Sequence, residues 1–140
     1  MGLSYLLDTN ILSEPTKPQP NPHLIRRLQQ HNGQYCTAVT VWHELHDGVQ
    51  RMTDSKRKTS LFAYLNALEQ SGLVILSYDK MAGEWLAQAR SKLAQQGITA
   101  TYPDGEIAAI ALTQQLTLVT RNVQDFLIYD GLSVENWFEG

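Results

Sequence analysis

The alternation of short strand-type runs with longer helix-type segments predicts an α/β protein, a three-layer α/β/α sandwich on a parallel sheet. Three observations carry this. The chain opens on an apolar run, Tyr5-Leu6-Leu7, that halts at Asp8, and a short run bounded by polar residues suits a strand buried on both faces. Further strand-type runs recur along the chain, and segments with helical spacing of apolar residues lie between them. Strands joined through helices pair in parallel by right-handed crossovers. The 140 residues, 43% of them hydrophobic, suffice for one domain, residues 1–140, with a real core.

The elements follow in order. Thr9 to Glu14 turns into a short helix after the first strand. Pro15 to Pro22 holds four prolines and cannot continue it, so a stiff loop is expected. Asn21 as cap and Pro22 at the first helical position then open a helix over His23 to Asn32, with Leu24, Ile25 and Leu28 on one face and Gly33 as its stop. Tyr35 to Val39 is the second strand. Thr40 is the expected cap of a helix from Val41 to Arg51, whose Val41, Leu45 and Val49 recur at i, i+4, i+8. Asp54 or Ser55 opens the next helix, which runs to Gln70 with Leu61, Tyr64, Leu65 and Leu68 inward and stops at Gly72. These two helices form a hairpin inserted into the simple repeat.

Leu73 to Leu76 is the third strand, expected at an edge. Asp79 caps a long helix to Gln96, with Met81, Trp85, Ala89 and Leu93 on one face and Gly97 after it. A loop, Ile98 to Tyr102, leads to Pro103-Asp104-Gly105-Glu106 and the apolar helix Ile107 to Leu112. Leu116 to Thr120 is the fourth strand, Arg121 to Phe126 a turn or single helical turn, and Leu132 to Val134 a weak fifth strand. Pattern alone leaves the strand order open.

Composition narrows the function. The net charge is −3, so any polyanion must be held by a local patch or a metal. Cys36 is the only cysteine; it permits no intramolecular disulfide and reads as a small core residue. No run reaches the roughly 18 apolar residues that span a bilayer, and the N-terminus lacks signal-peptide organisation. A cytoplasmic protein is expected.

Four acids follow or adjoin strand ends: Asp8, Glu44, Asp104 and Asp125. In open α/β sheets the carboxyl rim is where ligands bind. With the first and fourth strands central, these side chains meet at one rim. Clustered carboxylates repel one another, and burial worsens this. A divalent cation relieves it, and carboxylate oxygens with open water positions suit Mg²⁺ or Mn²⁺. Such a site supports phosphodiester hydrolysis by in-line displacement. Each acid also has a plainer reading. Asp8 suits a helix cap, Asp104 a helix-dipole partner worth about 0.3–1 kcal/mol, and Asn122 and Asp125 ordinary turn positions. Glu44 is harder to dismiss, because it adjoins a buried stripe.

Leu6-Leu7-Asp8-Thr9-Asn10, Thr40-Val41-Trp42-His43-Glu44-Leu45, Pro103-Asp104-Gly105-Glu106-Ile107-Ala108-Ala109 and Leu118-Val119-Thr120-Arg121-Asn122-Val123-Gln124-Asp125-Phe126 resemble the four motifs of PIN-domain nucleases. Their order and separation are similar to those of VapC toxins from bacterial toxin–antitoxin pairs. The resemblance covers nearly the whole chain. It implies a five-stranded parallel sheet of order 3-2-1-4-5 and a Mg²⁺-dependent endoribonuclease, with Mn²⁺ as a substitute. It further implies a toxin that inhibits translation, with a tRNA loop as its target, a homodimer, and a cognate VapB-like antitoxin that blocks the site. It makes Asp8 and Asp104 the main metal ligands and Glu44 the completing acid. Many relatives carry an acid where this chain has Asn122; here Asp125 supplies the charge or Asn122 holds a water. Thr120 and Asn10 would orient the ligands, and Arg121 would meet a substrate phosphate.

Rival readings separate on chemistry. An inactive PIN-like module would bind RNA or protein without cutting, and the intact acid set argues against it. His43-Glu44-Leu45-His46 departs from the zinc-protease spacing, which needs histidines four apart; both histidines suit a surface. A phosphatase or receiver domain would use Asp8 as nucleophile, but a phosphatase needs a second acid where Asn10 stands. Lys56-Arg57-Lys58 is the densest basic run and suits either a solvated helix face or an RNA edge. Trp42, Trp85 and Trp137 suit core or interface anchors.

Overall fold

The computed structural model describes residues 2–139. Five strands form one parallel sheet of order β3-β2-β1-β4-β5. They are β1 (Tyr5–Leu7), β2 (Tyr35–Ala38), β3 (Ile75–Leu76), β4 (Thr117–Val119) and β5 (Val134–Glu135). The helices are α1 (Thr9–Ser13), α2 (Pro22–Gln30), α3 (Val39–Gln50), α4 (Lys56–Gln70), α5 (Lys80–Gln95), α6 (Tyr102–Thr113) and α7 (Val123–Phe126).

Successive strand side chains point to opposite faces. Leu6 and Leu7 are both fully buried, so both faces of the sheet are covered and the three-layer sandwich follows. β1 is central because Tyr5 pairs with Tyr35 on one side and Thr117 on the other. The continuous burial of Leu118, Val119 and Thr120 puts β4 inside as well. β3 is short and half-exposed at its edge, as expected from its position.

Most helix signals act where the sequence placed them. Asn21 accepts from the Leu24 amide at 3.1 Å with Pro22 beside it, and Ser55 accepts from the Lys58 amide at 3.1 Å. Asp79 accepts from the Ala82 amide at 3.0 Å. Val41, Leu45 and Val49 are buried. Gly33 stands at φ +83 just past α2, a backbone state that glycine takes without a Cβ penalty.

Several boundaries differ. The strand ends at Ala38, and Ala38, with no side-chain bond, is the cap of α3. Thr40 lies inside the helix, and its hydroxyl donates to Glu106 Oε1 at 2.8 Å, so it ties α3 to α6 instead of capping. Met81 is 63% exposed and leaves the expected face; Trp85, Ala89 and Leu93 of that face do pack on the core, and Ala82 and Leu86 join them as its buried stripe. α6 begins earlier, at Tyr102, because Thr101 accepts from the Asp104 amide at 3.4 Å. The proline loop contains a short 3₁₀ turn, Glu14–Thr16. β5 is shifted to pair Val134 with Leu118 and Glu135 with Val119.

At Gly105, α6 lies close against α5. A Cβ there would sit 2.8 Å from Leu86 Cδ1 and 3.3 Å from the Tyr129 hydroxyl. Trp137 is fully buried, against Tyr5 and His31 at ring separations of 5.0 Å each. Among the described residues no helix is long and apolar enough to cross a membrane.

Candidate active site

The register of the two central strands builds the site. Leu7 pairs with Val119, and the Asp8 amide donates to the Val119 carbonyl at 2.9 Å. Asp8 and Thr120 therefore emerge side by side at the carboxyl rim. The Thr120 hydroxyl donates to Asp8 Oδ2 at 2.7 Å. The Thr9 amide donates to Oδ1 at 2.8 Å, so Asp8 also caps α1. The plainer reading of Asp8 as a cap is thus correct and compatible with a place in the site.

Asp8 is only 6% exposed. Burial pushes its carboxyl above the usual range, the Asp125 charge adds to this, and the two donors oppose it. Glu44 sits one turn into α3, and its Oε1 accepts from the Thr9 hydroxyl at 2.9 Å. Desolvation raises its pKa first, then the charges of Asp8 and Asp104. Asp104 lies in the first turn of α6, whose N-terminus returns to the rim because α6 precedes β4 in the crossover. Its pKa is raised by burial, then by Asp8, with Asp125 adding. Asp8 and Asp104 each feel Asp125, and Glu44 feels both Asp8 and Asp104. Four acids from four elements thus share one electrostatic neighbourhood.

A polar network lies beside them. Asn10 Nδ2 donates to Thr120 Oγ1 at 3.4 Å, and the Arg121 amide donates to Asn10 Oδ1 at 3.0 Å. Asn122 reaches the same hydroxyl through its backbone amide, at 3.0 Å, while Asn122 itself is exposed. Asp125 is exposed on α7. The Arg121 guanidinium lies over the Phe138 ring at 4.6 Å.

Among the described residues no three His, Cys, Asp or Glu side chains close on a single ion position. The donor set fits an open divalent site in preference to a cage. Mg²⁺ keeps several waters and is held by one or two carboxylates, and the raised acids are those that a dication would let ionise.

Two residues escaped the sequence reading. Thr9 positions Glu44, and nothing in its spacing singles it out. Glu14 is 5% exposed; it accepts from the Asn21 amide at 2.8 Å and pairs with Lys17 at 2.9 Å. The Lys17 hydrogen bond holds its carboxyl below the usual range. Glu14 thereby fastens the proline loop beside the site.

Acids gathered at the carboxyl rim of a 3-2-1-4-5 parallel sheet define an α/β protein with an acidic, cation-ready site. The PIN domain family matches residues 5–131, and the chain belongs to that family. Toxin FitB of Neisseria gonorrhoeae is 36% identical over 141 residues, which cover 96% of this chain and 99% of FitB. The tRNA(fMet)-specific endonuclease VapC of Salmonella typhimurium is 27% identical over 136 residues, covering 96% and 98%. The solved structure of FitAB bound to an IR36 DNA fragment superposes with a TM-score of 0.86 at 29% identity, covering 97% of this chain and 96% of the matched one. Within the family, the chain is of the VapC toxin type.

Proposed function

We propose that the chain is a Mg²⁺-dependent endoribonuclease, the toxin of a toxin–antitoxin pair, that hydrolyses RNA phosphodiester bonds in the cytoplasm and so stops translation. The observation that carries this is Asp8. It is a buried carboxylate held by Thr120 at the rim and coupled to acids from three other elements. Asp8 and Asp104 would hold the ion, with Glu44 completing the set and Asp125 adding charge. When bound, Mg²⁺ supplies neutralisation of the scissile phosphoryl group and acidifies the attacking water; Mn²⁺ serves in its place. Thr120 fixes the Asp8 oxygen, and Asn10 fixes Thr120 and the Arg121 backbone. Arg121 then meets a substrate phosphate. In-line hydrolysis leaves a 5′-phosphate and a 3′-hydroxyl. The relatives support tRNA as the target class and a VapB-like antitoxin as partner; a homodimer is the working form that the family resemblance implies.

The experiment is RNA cleavage by the purified chain with Mg²⁺ or Mn²⁺, alone and as Asp8→Asn. Cleavage falls at least about a hundredfold in the variant, the size of effect expected when a group central to transition-state electrostatics is removed. An Asp8→Asn protein that cuts as fast as the parent ends this reading. The second reading is a binding module that does not cut, and the intact acid set at the rim argues against it. Calorimetry showing no Mn²⁺ binding by the parent would favour it.

A further inference from the structure

We propose that the RNA strand runs from the acidic rim along a trough floored by the C-terminal segment, its phosphates met by Arg121 at the near end and by Arg26 on α2 at the far end. This rests on the endoribonuclease reading and names where its substrate lies beyond the reacting bond.

Two adjoining cavities make the trough. One, of about 470 Å³, is lined by Arg121, Asn122, Asp125, Asn136 and Glu139 among others. The next, of about 480 Å³, is lined by His23, Arg26, Arg27 and Gln30 together with the same Asn136 and Glu139. The shared residues join the two reaches. Asp125 therefore marks the end at the rim, and α2 marks the other.

The arginines of the chain distinguish this trough from the rest of the surface; Lys56 and Lys92 also face no carboxylate within 4 Å, but neither lines it. Lys17, Arg27, Arg51, Lys58 and Lys80 each face a carboxylate within 4 Å. Arg57 and Arg90 face none but give guanidinium hydrogen bonds to the Thr16 and Ala100 carbonyls. Among the described residues, the two arginines whose guanidinium groups have neither kind of partner are Arg26 and Arg121, and both line the trough. Arg121 is steadied by Phe138 beneath it. Arg27, beside Arg26, lies 3.8 Å from Glu135 and 5.6 Å from the Trp137 ring centroid, so it shapes the wall while its charge is compensated. A protein with net charge −3 attracts a polyanion only where cations stand uncompensated. Guanidinium groups match phosphate geometry best. Glu139 lies between the two free arginines and suits base amino groups, not phosphates. An acidic peptide would meet the same arginines but would run onto Asp125, with no chemistry there to relieve the repulsion.

The test is RNA binding by the full chain in the Asp8→Asn background, so that the probe stays intact, in Mg²⁺ buffer across a salt series. A long single-stranded RNA and a tetranucleotide are compared. Arg26→Gln weakens the long RNA about threefold to tenfold and lowers the slope of log affinity against log salt by about 0.7, one phosphate contact on a single strand. The tetranucleotide shifts less than twofold, Arg26→Lys restores most of the loss, and Lys92→Gln, remote from the trough, changes neither probe. The proposal is overturned if Arg26→Gln binds the long RNA within twofold of its background. An equal loss for both RNAs, or a loss only for a polyglutamate peptide, overturns it as well. A parent chain that fails to cut RNA while the trough still binds it by this pattern would sink the endoribonuclease reading alone.

Discussion

Thr120 shows how much depends on one hydroxyl. It is fully buried, donates to Asp8, and accepts from the Asn10 side chain and the Asn122 amide. Thr120→Val keeps the shape and removes every one of these bonds. A buried hydrogen bond to a charged group contributes about 1.5–3 kcal/mol, and a loss of that order in denaturant unfolding is expected. The donor also lowers the Asp8 pKa, so its loss raises that value further. The acid limb of the cleavage pH profile should therefore move to higher pH. Thr120→Ser, which keeps the hydroxyl, should restore the profile; an unmoved limb in Thr120→Val would leave Thr120 a merely structural residue. From the sequence, Asp8, Glu44, Asp104 and Asp125 were legible as acids at strand ends. Thr9 and Glu14 were not, since a hydroxyl or carboxylate acquires its partner only through tertiary contact.

At the scale of elements, local signals stand out wherever cap, period and stop agree. α2 carried an Asn cap, a first-turn proline and a terminal glycine, and all three act as expected. One failure has a clear cause: a side chain that suited a cap was claimed by a neighbouring element. Thr40 bonds Glu106 across the α3–α6 contact, and only assembly reveals that. In α5 the expected face holds at Trp85, Ala89 and Leu93, but Ala82 and Leu86 turn inward where Met81 does not. That face meets α6 at Gly105, where a Cβ would lie 2.8 Å from Leu86 Cδ1. Gly105→Ala should destabilise by about 1–3 kcal/mol, the usual cost of overpacking. Thermal unfolding checks this, and RNA cleavage should fall too, because Asp104 adjoins the position that the added methyl would displace. An alanine variant as stable as the parent would mean that Leu86 yields freely.

For the molecule as a whole, the acid rim makes stability depend on pH and on added ions. Asp8, Glu44 and Asp104 all have raised values, burial being the first cause in each. A raised carboxyl binds its proton more tightly when folded than when unfolded. Below the unfolded value, roughly 4, these groups cost nothing. As pH rises from there through their folded values the chain loses stability, and above them the loss is complete. Glu14, with its lowered value, acts oppositely and only under more acidic conditions. In chelator, the melting temperature should therefore fall as the pH rises above about 4. Asp104→Asn should shallow that fall, and Mn²⁺ should recover it in the parent. A flat profile would show that folding leaves the proton affinity of the three acids unchanged. Strand order was not legible from pattern, since it depends on which buried runs pair, and the family resemblance supplied it.

Trp137 offers a spectroscopic handle on this assembly. Its indole is sealed among Tyr5, His31 and Arg27, with its ring nitrogen bonded to Glu135 at 2.9 Å, whereas Trp42 and Trp85 are only half-buried. Emission from a chain retaining Trp137 alone would report the seating of the tail against the central strand. Its red shift would reveal whether that segment peels away before the sheet melts or together with it.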